Sequence, residues 1–175
     1  MSISERFLRF IDEQNLCRRH ERILLGVSGG KDSVLMVHLF AEAGFPIGIA
    51  HCNFRLRGAD ADADEAFVSA LADRFEVPFY GISFDTQAHA REHGISIQMA
   101  ARELRYDWFE TIRASQGYDW IAVAHHRSDH VETLLLNLVR GTGLPGLRGM
   151  QPRRGRIIRP LLFLDAEEIM AYVRE

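Results

Sequence analysis

Three short stretches of this chain are apolar at almost every position: Ile23-Leu24-Leu25-Gly26-Val27, Ile47-Gly48-Ile49-Ala50 and Trp120-Ile121-Ala122-Val123-Ala124. A strand with one wet face alternates apolar and polar residues. Continuous runs belong instead to strands covered on both faces, as in a parallel sheet between helices. Pro78-Phe79-Tyr80-Gly81-Ile82-Ser83 is a fourth, weaker run. Between the runs, helical spacing predicts helices near 4–15, 33–43, 61–75, 97–115 and 130–140. The fourth is marked by Ile97, Ala101, Leu104, Trp108 and Ile112. Strand alternating with helix predicts an α/β domain, a doubly wound parallel sheet with helices on both faces, spanning residues 1–175. Ligands in such sheets lie beyond the carboxyl ends of the strands.

Asp165 to Val173 reads as one more helix, with Asp165 as its N-cap. It stops at Glu175 without a capping glycine, so the chain is expected to be cut within or just after that helix. The apolar runs are too short and interrupted to cross a bilayer, and Met1-Ser2-Ile3-Ser4-Glu5 does not open a signal sequence. The expected location is the cytoplasm, with no membrane partner. Only Cys17 and Cys52 occur, far apart and in no C-x-x-C pair, which argues against a disulfide framework, a zinc knuckle or a cysteine-pair redox site. Net charge is −3, so overall charge does not announce a nucleic acid. Its distribution is more telling. From Thr133 to Leu164 there is no acid but six arginines, Arg140, Arg148, Arg153, Arg154, Arg156 and Arg159. These are either a solvated surface or a contact zone for an RNA backbone.

After the first strand comes Ser28-Gly29-Gly30-Lys31-Asp32-Ser33, leading into Val34-Leu35-Met36-Val37. Two glycines let the backbone turn sharply and approach an anion. The helix behind offers unpaired N–H groups and its positive dipole end. Ser28 and Ser33 add hydroxyls and Lys31 a mobile charge. Asp32 is out of place in an anion nest unless it caps the helix or helps hold Mg²⁺. The spacing is not that of the G-x-x-x-x-G-K-[ST] loop.

The hexapeptide resembles the S-G-G-x-D-S loop of the N-type ATP pyrophosphatases, the PP-loop superfamily with an adenine nucleotide alpha hydrolase-like fold. That resemblance implies that Ser28, Gly29, Gly30, Lys31, Asp32 and Ser33 bind ATP, which is cleaved between its α and β phosphates. Three further segments resemble motifs of the tRNA(Ile)-lysidine synthetases. His51-Cys52-Asn53-Phe54-Arg55-Leu56-Arg57 matches H-x-N-x-x-L-R, and Ala100-Ala101-Arg102-Glu103-Leu104-Arg105-Tyr106 matches A-A-R-x-x-R-Y. Ala124-His125-His126-Arg127-Ser128-Asp129-His130-Val131-Glu132-Thr133, with Arg140-Gly141-Thr142-Gly143 after it, matches A-H-H-x-x-D-x-x-E-T…R-G-[ST]-G. On a helical wheel Arg102 and Tyr106 lie opposite the apolar stripe, with Arg105 at its border. The third segment has no H-E-x-x-H zinc signature, and Asp129 with Glu132 reads locally as a capping box. Family members commonly carry two consecutive acids where this chain has Ser128-Asp129, and Gln or a small residue where it has His130.

The family implies ligation of free L-lysine to C2 of the wobble cytidine in tRNA(Ile) with a CAU anticodon, using ATP and Mg²⁺ through an adenylated tRNA. It also implies further tRNA-binding domains after this one. Catalytic candidates are Asp32, His126 and Asp129, with Mg²⁺ on Asp32. Candidates for substrate and tRNA contact are Asn53, Arg57, Arg102, Arg105, Glu132 and Arg140. The rivals are a tRNA 2-thiolation enzyme of the same superfamily, for which two distant cysteines are a poor match, and an ATP-binding module without turnover.

Overall fold

The computed structural model describes residues 1–56, 58–139 and 149–174. In chain order the elements are α1 (Ile3–Glu13), β1 (Ile23–Gly26), α2 (Lys31–Glu42), β2 (Ile47–Asn53), α3 (Ala59–Arg74), β3 (Phe79–Ser83) and α4 (Thr86–His93). They continue with α5 (Ile97–Gln116), β4 (Trp120–Val123), α6 (Arg127–Val139), β5 (Arg153–Arg154), β6 (Ile157–Ile158) and α7 (Ala166–Arg174). One sheet has the order β3-β2-β1-β4-β6-β5. All neighbours are parallel except β5 with β6. The expected doubly wound α/β domain is what forms. Among the described residues no helix is long and apolar enough to cross a membrane.

Alternate residues of each central strand serve opposite faces, which is why the runs are apolar throughout. Ile23, Leu25, Ile47, Ile49, Trp120 and Ala122 join the larger core with α1, α2 and α7. Leu24, Ala50, Ile121 and Val123 join a smaller core under α5, with Phe109 and Tyr118. On that second face the sheet is bare at two points. A Cβ on Gly26 would lie 2.6 Å from the Phe109 ring, and one on Gly48 would overlap the Tyr118 hydroxyl. The two glycines admit two aromatic rings directly onto the backbone of β1 and β2. Because Ile23 is level with both Ile47 and Trp120, the carboxyl ends of β1, β2 and β4 emerge side by side. The loops after Gly26, Asn53 and Val123 therefore share one edge.

Several expectations need correction. The buried residues of α5 are Ala100 and Phe109, while Ile97 is exposed, so the helix is turned from its predicted stripe. Tyr106 is not on the solvent side; it packs edge-on against Phe109, ring centroids 6.3 Å apart. The helix α6 starts at Arg127, three residues earlier than predicted. Asp129 is thus not its N-cap: it sits in the first turn, and its Oδ2 accepts the His126 N–H at 2.9 Å. The helix α4 was missed because it is short and polar; Asp85 caps it by accepting the Ala88 N–H at 2.9 Å. The strands β5 and β6 are two residues each, too short for any periodicity. Asp165 does cap α7, in a reciprocal box with Glu168 whose two bonds are both 2.9 Å.

The Gly48 contact makes a sharp test. Gly48→Ala should cost about 1–3 kcal/mol of stability through overpacking, and adding Tyr118→Phe should recover part of it. Denaturant melts of the single and double variants check this. A loss that is merely additive would show that the hydroxyl is not what the new methyl meets.

Candidate functional site

The loop after β1 is shaped by its glycines. Gly29 has φ +95°, a conformation that side-chain-bearing residues rarely adopt. Gly30 is the N-cap of α2 and supplies no side-chain bond, so the first N–H groups of a twelve-residue helix are left for an outside acceptor. The hydroxyls brace the turn: Ser28 Oγ accepts from the Gly30 N–H at 3.3 Å, and Ser33 Oγ donates to the Gly30 carbonyl at 2.8 Å. Lys31 Nζ reaches Asp32 Oδ1 at 2.8 Å, both side chains partly exposed. Asp32 lies in the first helical turn, so the capping option for it is overturned.

The other oxygen of Asp32 faces α6. His126 Nε2 lies 3.7 Å from Asp32 Oδ2 and 3.6 Å from Asp129 Oδ2. The expected trio of Asp32, His126 and Asp129 is therefore brought together, from two helices and the end of β4. Among the described residues no three or more acid, histidine or cysteine side chains are grouped to hold a metal ion; a hard divalent cation here would lean on the Asp32 carboxylate beside the loop and leave its other positions to phosphate and water. Glu132 is exposed and outside this trio. The two departures from the family pattern have local uses. Ser128 Oγ accepts the Ala166 N–H at 3.3 Å, seating the start of α7 on α6. His130 Nδ1 accepts the Met150 N–H at 3.0 Å, and its ring lies where a Cβ of Gly149 would be.

A cleft of about 310 Å³ opens beside the loop, with Ser28, Gly30 and Asp32 on one wall and Arg105, Tyr106 and His125 among the residues facing them. Arg105 stacks over Phe54, its guanidinium carbon 5.1 Å from the ring centre. Arg102 stacks over Tyr106 at 4.9 Å and is exposed on a neighbouring groove. His125 was missed as a site residue, and strand alternation would have found it. Ile121 and Val123 face α5, so residue 125 continues toward that side and residue 126 toward α2. Burial first, then the nearby Arg159 guanidinium, pushes the His125 imidazole down to about 4, so it is neutral at physiological pH.

Asn53 is a structural organiser. Its Nδ2 donates to Asp62 Oδ1 and Glu65 Oε2 at 3.0 and 3.1 Å, and its Oδ1 accepts the Arg55 N–H at 3.0 Å. It thereby ties the turn after β2 to α3. Arg57 and Arg140 lie outside the described residues, as does Arg148. The rest of the acid-free arginine zone divides. Arg153 and Arg156 stack over Trp120 at 4.1 and 5.5 Å, at the amino ends of the strands and away from the cleft. Arg159 is buried, which removes it from any surface contact zone. Burial pushes both thiols up to about 12. Cys52 lines the cleft, whereas Cys17 lies in a separate depression beside Trp120.

A tRNA(Ile)-lysidine synthase of Parabacteroides distasonis is 48% identical over 95% of this chain and 38% of its own length. That of Chlorobaculum tepidum is 43% identical over 98% of this chain and 53% of its own. The chain thus spans about two-fifths to one-half the length of these relatives. Among solved structures, the U34-tRNA thiolase NcsA of Methanococcus maripaludis matches with a TM-score of 0.76 and 17% identity, over 97% of this chain and 62% of that one. The NH3-dependent NAD synthetase of Campylobacter jejuni matches with a TM-score of 0.68 and 18% identity, over 98% of this chain and 71% of that one; both show a shared fold. The family model described as a PP-loop domain matches residues 1–175, and the chain belongs to that family.

Proposed function

We propose that this chain carries the catalytic site of a ligase that joins free L-lysine to C2 of the wobble cytidine, C34, of tRNA(Ile) with a CAU anticodon. ATP is consumed to AMP and pyrophosphate through an adenylated tRNA. What supports this most is one cleft that sets an uncapped helix N-terminus and its Ser28–Ser33 loop against Arg105 and His125. The names of the relatives supply tRNA(Ile) and lysidine, and the remaining detail follows from the motif resemblance.

In this mechanism the loop holds the pyrophosphate end of ATP. Fixed N–H dipoles at the start of α2 and the Lys31 ammonium meet the negative charge that grows on the leaving group. Asp32 would help hold Mg²⁺, which would neutralise phosphate charge when bound. Arg105, stacked on Phe54 and lining the cleft beside the loop, would stabilise charge on the reacting phosphate and the C2 oxygen. Lysine attacks through a neutral ε-amine, so a proton must leave. His126, between the Asp32 and Asp129 carboxylates, is the better acceptor; the neutral His125 serves as a hydrogen-bonding wall. Thiolation fits less well, because the two thiols are far apart and both are held protonated by burial.

Three outcomes follow. Nucleosides from tRNA(Ile) incubated with protein, ATP and lysine should contain a lysine-adduct cytidine by mass spectrometry; its absence from a preparation that binds ATP would defeat the ligase assignment. Asp32→Ala should reduce tRNA-dependent ATP–pyrophosphate exchange by roughly 10²-fold or more, and wild-type exchange would remove Asp32 from the reaction. If the exposed Arg153, Arg154 and Arg156 meet tRNA phosphates, neutralising all three should lower the salt slope of tRNA binding by roughly 2 to 3. An unaltered slope would leave Arg153 and Arg156 as packing for Trp120 and Arg154 as solvated surface.

A further inference from the structure

Two aromatic rings near the loop belong to neither hydrophobic core. Phe54 follows the end of β2 and Phe84 the end of β3; both are half-buried, and they stack with ring centroids 6.0 Å apart and planes 24° apart. The Arg105 guanidinium lies on Phe54 in turn, its carbon 5.1 Å from the ring centre. Among the described residues Arg105 has no hydrogen bond and no salt bridge, so the ring is the contact that orients it. Phe54 and Arg105 both line the cleft, and both line a second hollow of about 490 Å³ that shares Ser28, Gly30 and Cys52 with it. The stacked pair therefore stands beside the loop on two sides.

The backbone under Phe54 is held at three successive residues. The Asn53 carbonyl accepts the Phe84 N–H at 2.8 Å, which extends the β2–β3 pairing beyond Ser83. The Phe54 carbonyl accepts the hydroxyl of Thr86 at 2.9 Å, and Thr86 is 1% exposed. Arg55 has φ +53°, uncommon for a residue with a side chain, and its N–H is bonded to Asn53 Oδ1 at 3.0 Å. Such conformations persist only where the surroundings over-determine them, and they gather at functional sites. Thr86 also opens α4, which packs on α5, where His89 Nε2 lies 3.5 Å from Glu103 Oε2. The contacts thus close a circuit. It runs from Phe54 through Thr86 and α4 to α5, and returns to Phe54 through Arg105.

We propose that Phe84 and Thr86 are positioning residues for Arg105, a proposal that rests on the ligase assignment above. Neither of them lines the cleft or the second hollow. Phe84 gives Phe54 a ring to settle against, and Thr86 fixes the turn that carries it. Phe54 then holds the guanidinium by the attraction between a cation and the ring quadrupole. The N–H fork stays free for negative charge on the reacting phosphate and the C2 oxygen. An arginine ordered before the reaction need not be ordered during it, so the loss on unstacking falls on kcat.

A cycle of single and double variants tests this. The rate of tRNA-dependent ATP–pyrophosphate exchange is measured for the wild type, Phe84→Ala, Phe84→Tyr, Arg105→Ala and the Phe84→Ala, Arg105→Ala double variant, with thermal melts to follow folding. Phe84→Ala should lower kcat by roughly 10-fold and leave KM for ATP within about twofold. Phe84→Tyr keeps the ring and should restore the rate. In the Arg105→Ala background, Phe84→Ala should cost no more than about twofold further, because the residue through which it acts is gone. Thr86→Val removes one hydroxyl and should lower kcat by roughly threefold; if Phe84→Ala does not fold, the same cycle run with Thr86→Val decides. A wild-type kcat in both single variants, losses that multiply in the double variant, or a raised KM at unchanged kcat would return Phe84 and Thr86 to ordinary packing and leave the ligase standing. A wild type without exchange would overturn the ligase assignment and this proposal together.

Discussion

Phe109 lies against the bare backbone of Gly26, and the width of the cleft follows from that contact. Any side chain on β1 at that point would hold α5 away from the sheet. With Phe109 seated, Arg105 and Tyr106 one turn earlier overhang the loop that leaves the same strand. Tyr118 on Gly48 makes a second such contact, beyond the other end of α5. The helix is therefore located at two points, by aromatic rings whose positions are set by glycine rather than by complementary side chains. Close packing of this kind transmits position well, because dense interiors yield little.

The charges around the cleft are arranged by wall. On the α2 and α6 side, Asp32 and Asp129 gather around His126. On the α5 side, Arg159, Arg102 and Arg105 all add to the positive potential at His125, which burial keeps neutral. Adjacent histidines thus sit in opposite fields, one among carboxylates and one among guanidinium groups. Strand alternation at the end of β4 produces the division, because it sends neighbouring residues to different faces. A site built this way offers a cation and an anion separate places a few residues apart.

What could be read beforehand was whatever has a local cause. Strands buried on both faces announce themselves by unbroken apolar runs, and β1 and β4 were found to within a residue, while β2 runs three residues past its apolar run to Asn53. The loop was legible because glycine, serine and lysine each have a local reason to stand beside a helix start. Less visible was anything decided by distant neighbours. The orientation of α5 depends on Gly26 and Gly48, which lie 83 and 70 residues before the rings that meet them, so the wheel of that helix alone placed Tyr106 on the wrong side. Asp129 was mistaken for an N-cap because the box Asp129–Glu132 and the observed pair His126–Asp129 have the same spacing. Arg159 looked like one member of a basic surface; only the strand pairing of β6 with β4 shows that it is interior.

The sheet order also bears on how the chain comes to be folded. β1 is flanked by β2 and β4, and its residue Ile23 pairs with Ile47 on one side and with Trp120 on the other. The first neighbour is made soon after β1, the second only after 97 further residues. At ribosomal speeds of about 5–20 residues per second, that edge stays open for roughly 5–20 s. During this time a strand that ends up buried on both faces shows a row of unpaired backbone groups, an invitation to wrong partners. The half-made domain β1–α2–β2–α3–β3 is the species most exposed to aggregation, and it lacks the α5 and β4 walls that would close the cleft.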